Sequence, residues 1–306
     1  VPAHDHVTAY NPGSRAVQAR VGVEDLAAHI APSIRPGIRP VAAAFLEAQP
    51  MLMIGAADRG GRVWASLLTG APGFTRATGP HTVSVAGSFP AYDPLADAIT
   101  PDGTPVGTLA LDPRTRRRMR LNGTARPSAR GFTIEAEQVF SNCPKYLQKR
   151  EWYGSDPARP GTGTVRTGEE LTPAQVRHVR AADTFFVASV APDGVDTSHR
   201  GGNPGFVRVD APRELSWCDY PGNAMFLTLG NLESDGRAGL LFLDWETGTT
   251  LQLSGLAHTE YGPEGRVTRF RVERTAETPA GSPLRWSPPE YSPANPPADH
   301  TPRTAP

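Results

Sequence analysis

Thr197-Ser-His-Arg-Gly-Gly-Asn-Pro-Gly-Phe-Val-Arg-Val209 repeats the framework of an earlier stretch, Ala65-Ser-Leu-Leu-Thr-Gly-Ala-Pro-Gly-Phe-Thr-Arg-Ala77. Ser66, Gly70, Pro72, Gly73, Phe74 and Arg76 recur as Ser198, Gly202, Pro204, Gly205, Phe206 and Arg208, always 132 positions later. The same offset aligns Val106–Ala125 with Ala238–Ala257, and the two pairs of segments share 6 of 13 and 8 of 20 positions. Unrelated sequences of ordinary composition share about two in all. The chain therefore reads as a tandem duplication, and two copies of one unit can place a ligand site at the seam between them. Residues held in both halves, such as Gly107/Gly239 and Gly123/Gly255, read as fold, namely turn glycines and strand ends. Residues present in one copy only, His199, Arg200 and Asn203, are the better candidates for chemistry.

Composition narrows the function classes. A chain of 306 residues holds two units of about 130 residues, each able to bury a core. Net charge is zero and the pI about 7.2, so nothing points to a nucleic-acid or membrane surface. Lys145 and Lys149 are the only lysines, and Cys143 and Cys218 stand far apart without metal spacing. His4 and His6 lack further ligands, so no metal site is expected. No run of eighteen apolar residues and no signal pattern is present, which makes a soluble, cytoplasmic protein the expectation.

Along the chain, residues 1–37 form an N-terminal segment with a short helix over 25–30 and a Pro-punctuated linker. Residues 38–141 form the first unit: Pro40 starts a helix, and strands are predicted at 51–57, 63–68, 81–86, 106–111, 116–122 and 131–140. A connector follows at 142–170, with Pro144 starting a helix that packs Tyr146, Leu147 and Trp152 inward and offers a positive end to an anion. In the second unit, 171–277, a helix capped by Thr172 leads into strands at 184–190, 206–209, 214–218, 239–244, 249–255 and 266–274. Residues 278–306 form a Pro-rich tail expected to stay extended or disordered. The whole reads as mainly β, an antiparallel barrel or sandwich with a few helices, built twice.

Four motifs in order then carry a resemblance. They are Tyr10-Asn-Pro-Gly-Ser-Arg-Ala-Val-Gln-Ala-Arg20, Asn142-Cys-Pro-Lys-Tyr-Leu-Gln148, Ser198-His-Arg-Gly-Gly-Asn-Pro-Gly-Phe206, and the series Gly222-Asn223, Asn231-Leu232 and Gly239–Phe242. Together they resemble the pyridoxamine 5′-phosphate oxidase-like, FMN-binding split-barrel family, in its two-domain flavin-nucleotide-binding branch. The resemblance implies six-stranded split barrels, here two in one chain forming an intramolecular pseudo-dimer, with FMN in the groove between them. It further implies a flavin-dependent oxidoreductase acting on a small molecule, with reduced nicotinamide or a reductase as electron source. Carried over by position, Ser198, Arg200 and Asn203 belong to the loop that faces the phosphate, with Asn223 and Asn231 on later turns. Arg116 and Arg118 lie on the strand that reaches the ring across the seam, and His199 is the candidate proton donor. The first copy carries Leu67 and Leu68 in place of His199 and Arg200, so one FMN per chain is expected, bound by a monomer or a homodimer.

Two other readings compete. Split barrels also hold haem through a histidine, for which His199, His178 and His258 are available, and a flavin or haem can be bound without turnover. A degenerate paralogue whose cofactor site is lost, serving as an interaction module, is the other.

Overall fold

A computed structural model describes residues 9–156, 164–263 and 265–297. Helices α1 (Pro12–Val21), α2 (Glu24–Ile30) and α3 (Pro40–Glu47) lead into strands β1 (Met51–Ala57), β2 (Val63–Thr69), β3 (Thr75–Ala77), β4 (Thr82–Ala86), β5 (Thr104–Asp112), β6 (Arg117–Ser128) and β7 (Gly131–Ser141). Short strands β8 (Trp152–Ser155) and β9 (Arg166–Gly168) precede α4 (Pro173–Ala181), after which come β10 (Thr184–Ala191), β11 (Gly194–Gly201), β12 (Val207–Ala211) and β13 (Glu214–Cys218). Helix α5 (Leu227–Ser234), β14 (Arg237–Leu243), β15 (Thr250–Gly262), β16 (Gly265–Thr278) and β17 (Leu284–Trp286) complete the fold.

One antiparallel strand order occurs twice: β2-β1-β5-β6-β7-β4-β3 in the first sheet and β11-β10-β14-β15-β16-β13-β12 in the second, where β9 also pairs with β16. Each half thus pairs seven strands along this path, one more than the six implied by the resemblance. Even a bulge recurs, since the β6–β7 register slips at Asn122/Gly123 and the β15–β16 register at Ser254/Gly255. A Cβ on Gly123 would lie 1.9 Å from the Glu135 carbonyl oxygen, and one on Gly255 2.0 Å from that of Arg271. These shared glycines therefore serve a bulge, not a turn.

Each sheet encloses its own core. Leu52, Leu68, Val83, Val106, Leu121 and Ile134 meet in the first, and Phe185, Val207, Leu215, Leu240, Leu253 and Phe270 in the second. A third core lies between the sheets, where Met51, Met53, Ala65 and Leu109 pack on Phe186, Ala188, Val190 and Leu241. Because side chains alternate across a strand, β1 and β10 put Leu52 and Phe185 into their own cores while Met53 and Phe186 enter the seam. Both faces are buried, which is why 51–57 and 184–190 read as continuous apolar runs. The seam is close enough to demand glycine at related places: a Cβ on Gly107 would lie 2.6 Å from Asp196 Cα, and one on Gly239 2.5 Å from Trp64 Cα. This reciprocal contact is that of a two-fold dimer interface made within one chain.

Three expectations are corrected. The first concerns the N-terminal segment, which forms α1 although its sequence is polar. Asn11 caps the helix by accepting from the Ser14 N–H, Gln18 Nε2 donates to the Met225 carbonyl, and Gly13 packs against Gly230 of α5. Hydrogen bonds and a close backbone approach hold this helix together with Val17 and Val21, which pack on the second core.

The second correction is that Pro144 starts no helix. Residues 142–148 cross the molecule as a turn with Tyr146 in the left-handed region (φ 64°), and Gln148 Nε2 donates to the carbonyls of Tyr146, Asp183 and Gly202. Those bonds, and the backbone pairing of Lys149 with Glu290, take the place of helical ones.

The third is that the Pro-rich segment is ordered through residue 297. β17 pairs with β8, Leu284 and Trp286 join the seam core, and the Ser292 N–H donates to Gln148 Oε1. Its few apolar residues complete a core that others have started, so the segment needs none of its own. His4 and His6 lie outside the described residues. No helix among the described residues is long and apolar enough to cross a membrane.

Candidate functional site

Alternation along β11 decides which side chains reach the seam. Thr197 and His199 face the first sheet, where Thr197 Oγ1 donates to the Gly107 carbonyl at 2.8 Å. Ser198 and Arg200 face the other way, and Ser198 Oγ lies 2.9 Å from Thr228 Oγ1 of α5. From the first sheet, β6 sends Arg118 and Arg120 across. Arg118 Nη1 lies 2.6 Å from His199 Nδ1, and Arg120 Nη1 donates to both oxygens of Asp196 at 2.9 and 3.1 Å.

Arg118, Arg120, His199 and Arg200 line a cleft of about 100 Å³, together with Lys145, Tyr146, Tyr220, Asn223 and the first residues of α5. The Tyr146 and Tyr220 rings stand 5.1 Å apart. Among the described residues, three of the five non-glycine residues with positive φ, Tyr146, Ala224 and Phe226, are in its wall, and backbone strain of this kind concentrates at functional sites. Helix α5 begins there without a side-chain cap, so its first N–H groups are spare.

The charge balance is one-sided. Arg200 lies 3.6 Å from Asp219, which Arg266 also engages at 3.0 Å, while Arg118 meets no carboxylate among the described residues. Burial, then the nearby Arg120 and Arg200, lower the Arg118 guanidinium to about 9. Burial also lowers Arg200, with Asp219 opposing. Burial, then Arg118, Arg200 and Arg120, hold His199 well below the usual imidazole range, so the ring is neutral. A guanidinium only donates, so His199 Nδ1 accepts from Arg118 and the ring proton sits on Nε2. That N–H is buried without a partner, as are the Nε atoms of Arg118, Arg120 and Arg200 and Oδ1 of Asn142.

The repeat supplies an internal control. Leu67, Thr250 and Gln252 stand where the cleft has His199, Arg118 and Arg120, and with Tyr92 and Asp93 they leave only about 20 Å³. Asp93 accepts from Ser66 Oγ at 2.7 Å and from the Leu95 N–H at 2.8 Å, and burial raises its carboxyl above the ordinary range. One half thus gathers cations around a space. The other fills the related place and puts a carboxyl in it.

Of the residues singled out in the sequence, His199, Arg200, Arg118 and Asn223 come together at the cleft. The other four lie elsewhere. Ser198 is fully buried behind it, bonded to Thr228 and Arg200. Asn203 is engaged by Pro296 and Asn295, and Asn231 by Asn11 and Ser189. Arg116 is not in the cleft but lines the neighbouring groove, where it donates to the Leu147 carbonyl and Glu290. Sequence reading passed over Asp196, Tyr146, Tyr220 and the start of α5. Only Asp196 carried a signal, because its counterpart at the repeat offset is Trp64, a change from indole to carboxylate inside a conserved framework.

No protein-family model and no curated protein matches this chain. Among solved structures, the HupZ protein of Group A Streptococcus is similar at 15% identity, covering 35% of this chain and 98% of its own, with a TM-score of 0.30. An FAD-binding protein from Mycobacterium smegmatis is similar at 11% identity, with coverage of 38% and 98% and a TM-score of 0.27. Another, from Mesorhizobium loti, has 11% identity, coverage of 37% and 97% and a TM-score of 0.27.

Proposed function

We propose that the cleft binds flavin mononucleotide, phosphate inward, and that the protein is a flavin-dependent oxidoreductase acting on a small organic molecule. The observation behind this reading is the donor set: three guanidinium groups and an imidazole N–H converge with unused hydrogen-bonding capacity on the start of a helix. Such an arrangement is costly unless an anion fills it. The enclosed volume is below the ~300–1,000 Å³ of a whole small-molecule site and suits a phosphate-sized group. Arg118 and Asn142 also line a neighbouring groove of about 230 Å³, together with Phe45, Arg116, Arg117 and Met119. A ring system attached to the phosphate has room in that direction, toward the first sheet.

When bound, the flavin supplies the hydride and electron chemistry, fed by reduced nicotinamide or a reductase. The chain supplies position and charge. Arg118 and Arg200 hold the anion through planar, forked donors, and Arg120, its charge matched by Asp196, adds a further N–H donor. His199 donates its Nε2 hydrogen and takes no proton at neutral pH. Both halves of the site come from one chain, so a monomer suffices.

Haem fits less well. Iron would need the lone pair of His199 Nε2, and moving the ring proton to Nδ1 would set it against the Arg118 N–H. His178 packs against Phe242 away from the cleft, and the His258 side chain is 66% exposed beside Glu260.

The visible spectrum after saturation with FMN and desalting tests the proposal. Wild type retains a flavin band and Arg200→Ala loses most of it, since a charge-assisted bond to phosphate contributes about 1.5–3 kcal/mol. A colourless wild type, or equal retention by the variant, overturns it.

A further inference from the structure

A second cavity, of about 470 Å³, lies on the other side of Asp196. Its floor is polar and buried: Asn122 is 7% exposed, Asp196 3%, Asn231 5% and Asn11 8%. Its rim carries the exposed carboxylates Glu137 and Asp193, and among the described residues no basic or histidine side chain lines it. Glu137 accepts only from Thr124 Oγ1 and Asp193 only from Asn11 Nδ2 among the described residues. Neither meets a cation, whereas Asp196 is already matched by Arg120.

Asn122 gives the independent sign that a ligand is missing. Its Nδ2 donates to Gln138 Oε1 and Asp196 Oδ1, both acceptors, which fixes the amide orientation. Among the described residues Oδ1 is then left buried with no donor, and buried amide oxygens in folded proteins are rarely left so. The repeat again supplies a control. Trp64 stands in the first half where Asp196 stands in the second; it is 5% exposed and donates to Asp58 Oδ2 at 3.0 Å. An indole fills one place, while a carboxylate and an open cavity occupy its counterpart.

We infer that this cavity is a binding site for a small organic cation bearing a primary ammonium or guanidinium group. The N–H donors of such a group satisfy Asn122 Oδ1, and its charge is matched by Glu137 and Asp193, within a volume in the usual range of ~300–1,000 Å³ for small-molecule sites. The planar fork of a guanidinium suits paired carboxylate and amide oxygens. The site does not depend on the identity of the anion in the first cleft. The two share Leu227 as a lining residue, and Asp196, which lines this cavity, bonds to Arg120 of the first.

Agmatine, which carries both cationic groups, is the probe, and N-butylurea, with a neutral planar head, is its control. Calorimetric titration of the full chain at low salt should show one saturable agmatine site and at least about tenfold weaker binding of N-butylurea. Glu137→Gln with Asp193→Asn, both exposed and outside the first cleft, should weaken agmatine at least tenfold while FMN titrates as in wild type. Three results would each overturn the inference: no saturable agmatine binding up to millimolar concentration, equal binding of N-butylurea, or unchanged agmatine affinity in the double variant.

Discussion

Replacing Arg118 by methionine should separate a ligand-binding cation from a structural one, because the two roles predict opposite signs. Burial and two neighbouring arginines lower this guanidinium from its ordinary value to about 9, a differential on the order of 5 kcal/mol at about 1.36 kcal/mol per pKa unit. The group nonetheless stays charged at pH 7, so the folded chain bears that cost in full. It would be relieved only as pH rises from about 9 toward the ordinary guanidinium value, where the folded state releases its proton first. Against the relief stands the hydrogen bond to His199 Nδ1, worth about 1 kcal/mol. Arg118→Met should therefore stabilise the ligand-free chain by about 1–3 kcal/mol, as apolar replacements of buried charges commonly do. FMN affinity should fall by about 1.5–3 kcal/mol, roughly 10- to 150-fold. Urea unfolding without ligand and flavin-fluorescence titration read the two quantities separately. A variant that is less stable without ligand but binds FMN as wild type does would show that Arg118 is structural, and the assignment would fail.

Asp93→Asn should flatten the acid side of the stability profile. The raised folded carboxyl makes wild type lose stability as pH climbs from about 3.8 through the folded value, and a profile unchanged by the substitution would refute this. Gly107→Ala and Gly239→Ala should each cost about 1–3 kcal/mol or more by overpacking the seam, measured by urea unfolding; near-neutral effects would mean that the sheets are less closely joined. Leu67→His combined with Leu68→Arg should not create a second flavin site, because Asp93 and a cavity of only about 20 Å³ remain. Equilibrium dialysis giving more than one FMN per chain in that variant would contradict the asymmetry.

Much of the fold was legible because the strands obey a period of two and recur at one offset. β1 and β10 stood out as unbroken apolar runs because each is buried on both faces, in a core and in the seam. α1 was not legible, since beyond Val17 and Val21 it is held by Asn11, Gln18 and a Gly13–Gly230 approach, and two valines make too thin an apolar stripe to read. The segment after 278 was misread for a related reason. Leu284 and Trp286 are too few to make a core, yet they suffice to finish one.

At the site, one-copy residues proved the useful signal for position: His199, Arg200 and Arg118 converge, each replaced in the other half by an uncharged side chain. Asn203, Asn231 and Arg116 carry the same polar chemistry but spend it on the C-terminal segment, on α1 and on Glu290. Such partners are brought close by the fold alone and leave no local pattern. The walls from Tyr146 and from Tyr220 to α5 depend on left-handed residues that are not glycine, so the sequence carried no mark of those turns.

The stoichiometry of FMN binding to the monomeric chain, measured by calorimetric titration, tests the central claim most directly. One FMN per chain, displaced in competition by inorganic phosphate, is the predicted result. Two per chain, or no saturable binding, would contradict it.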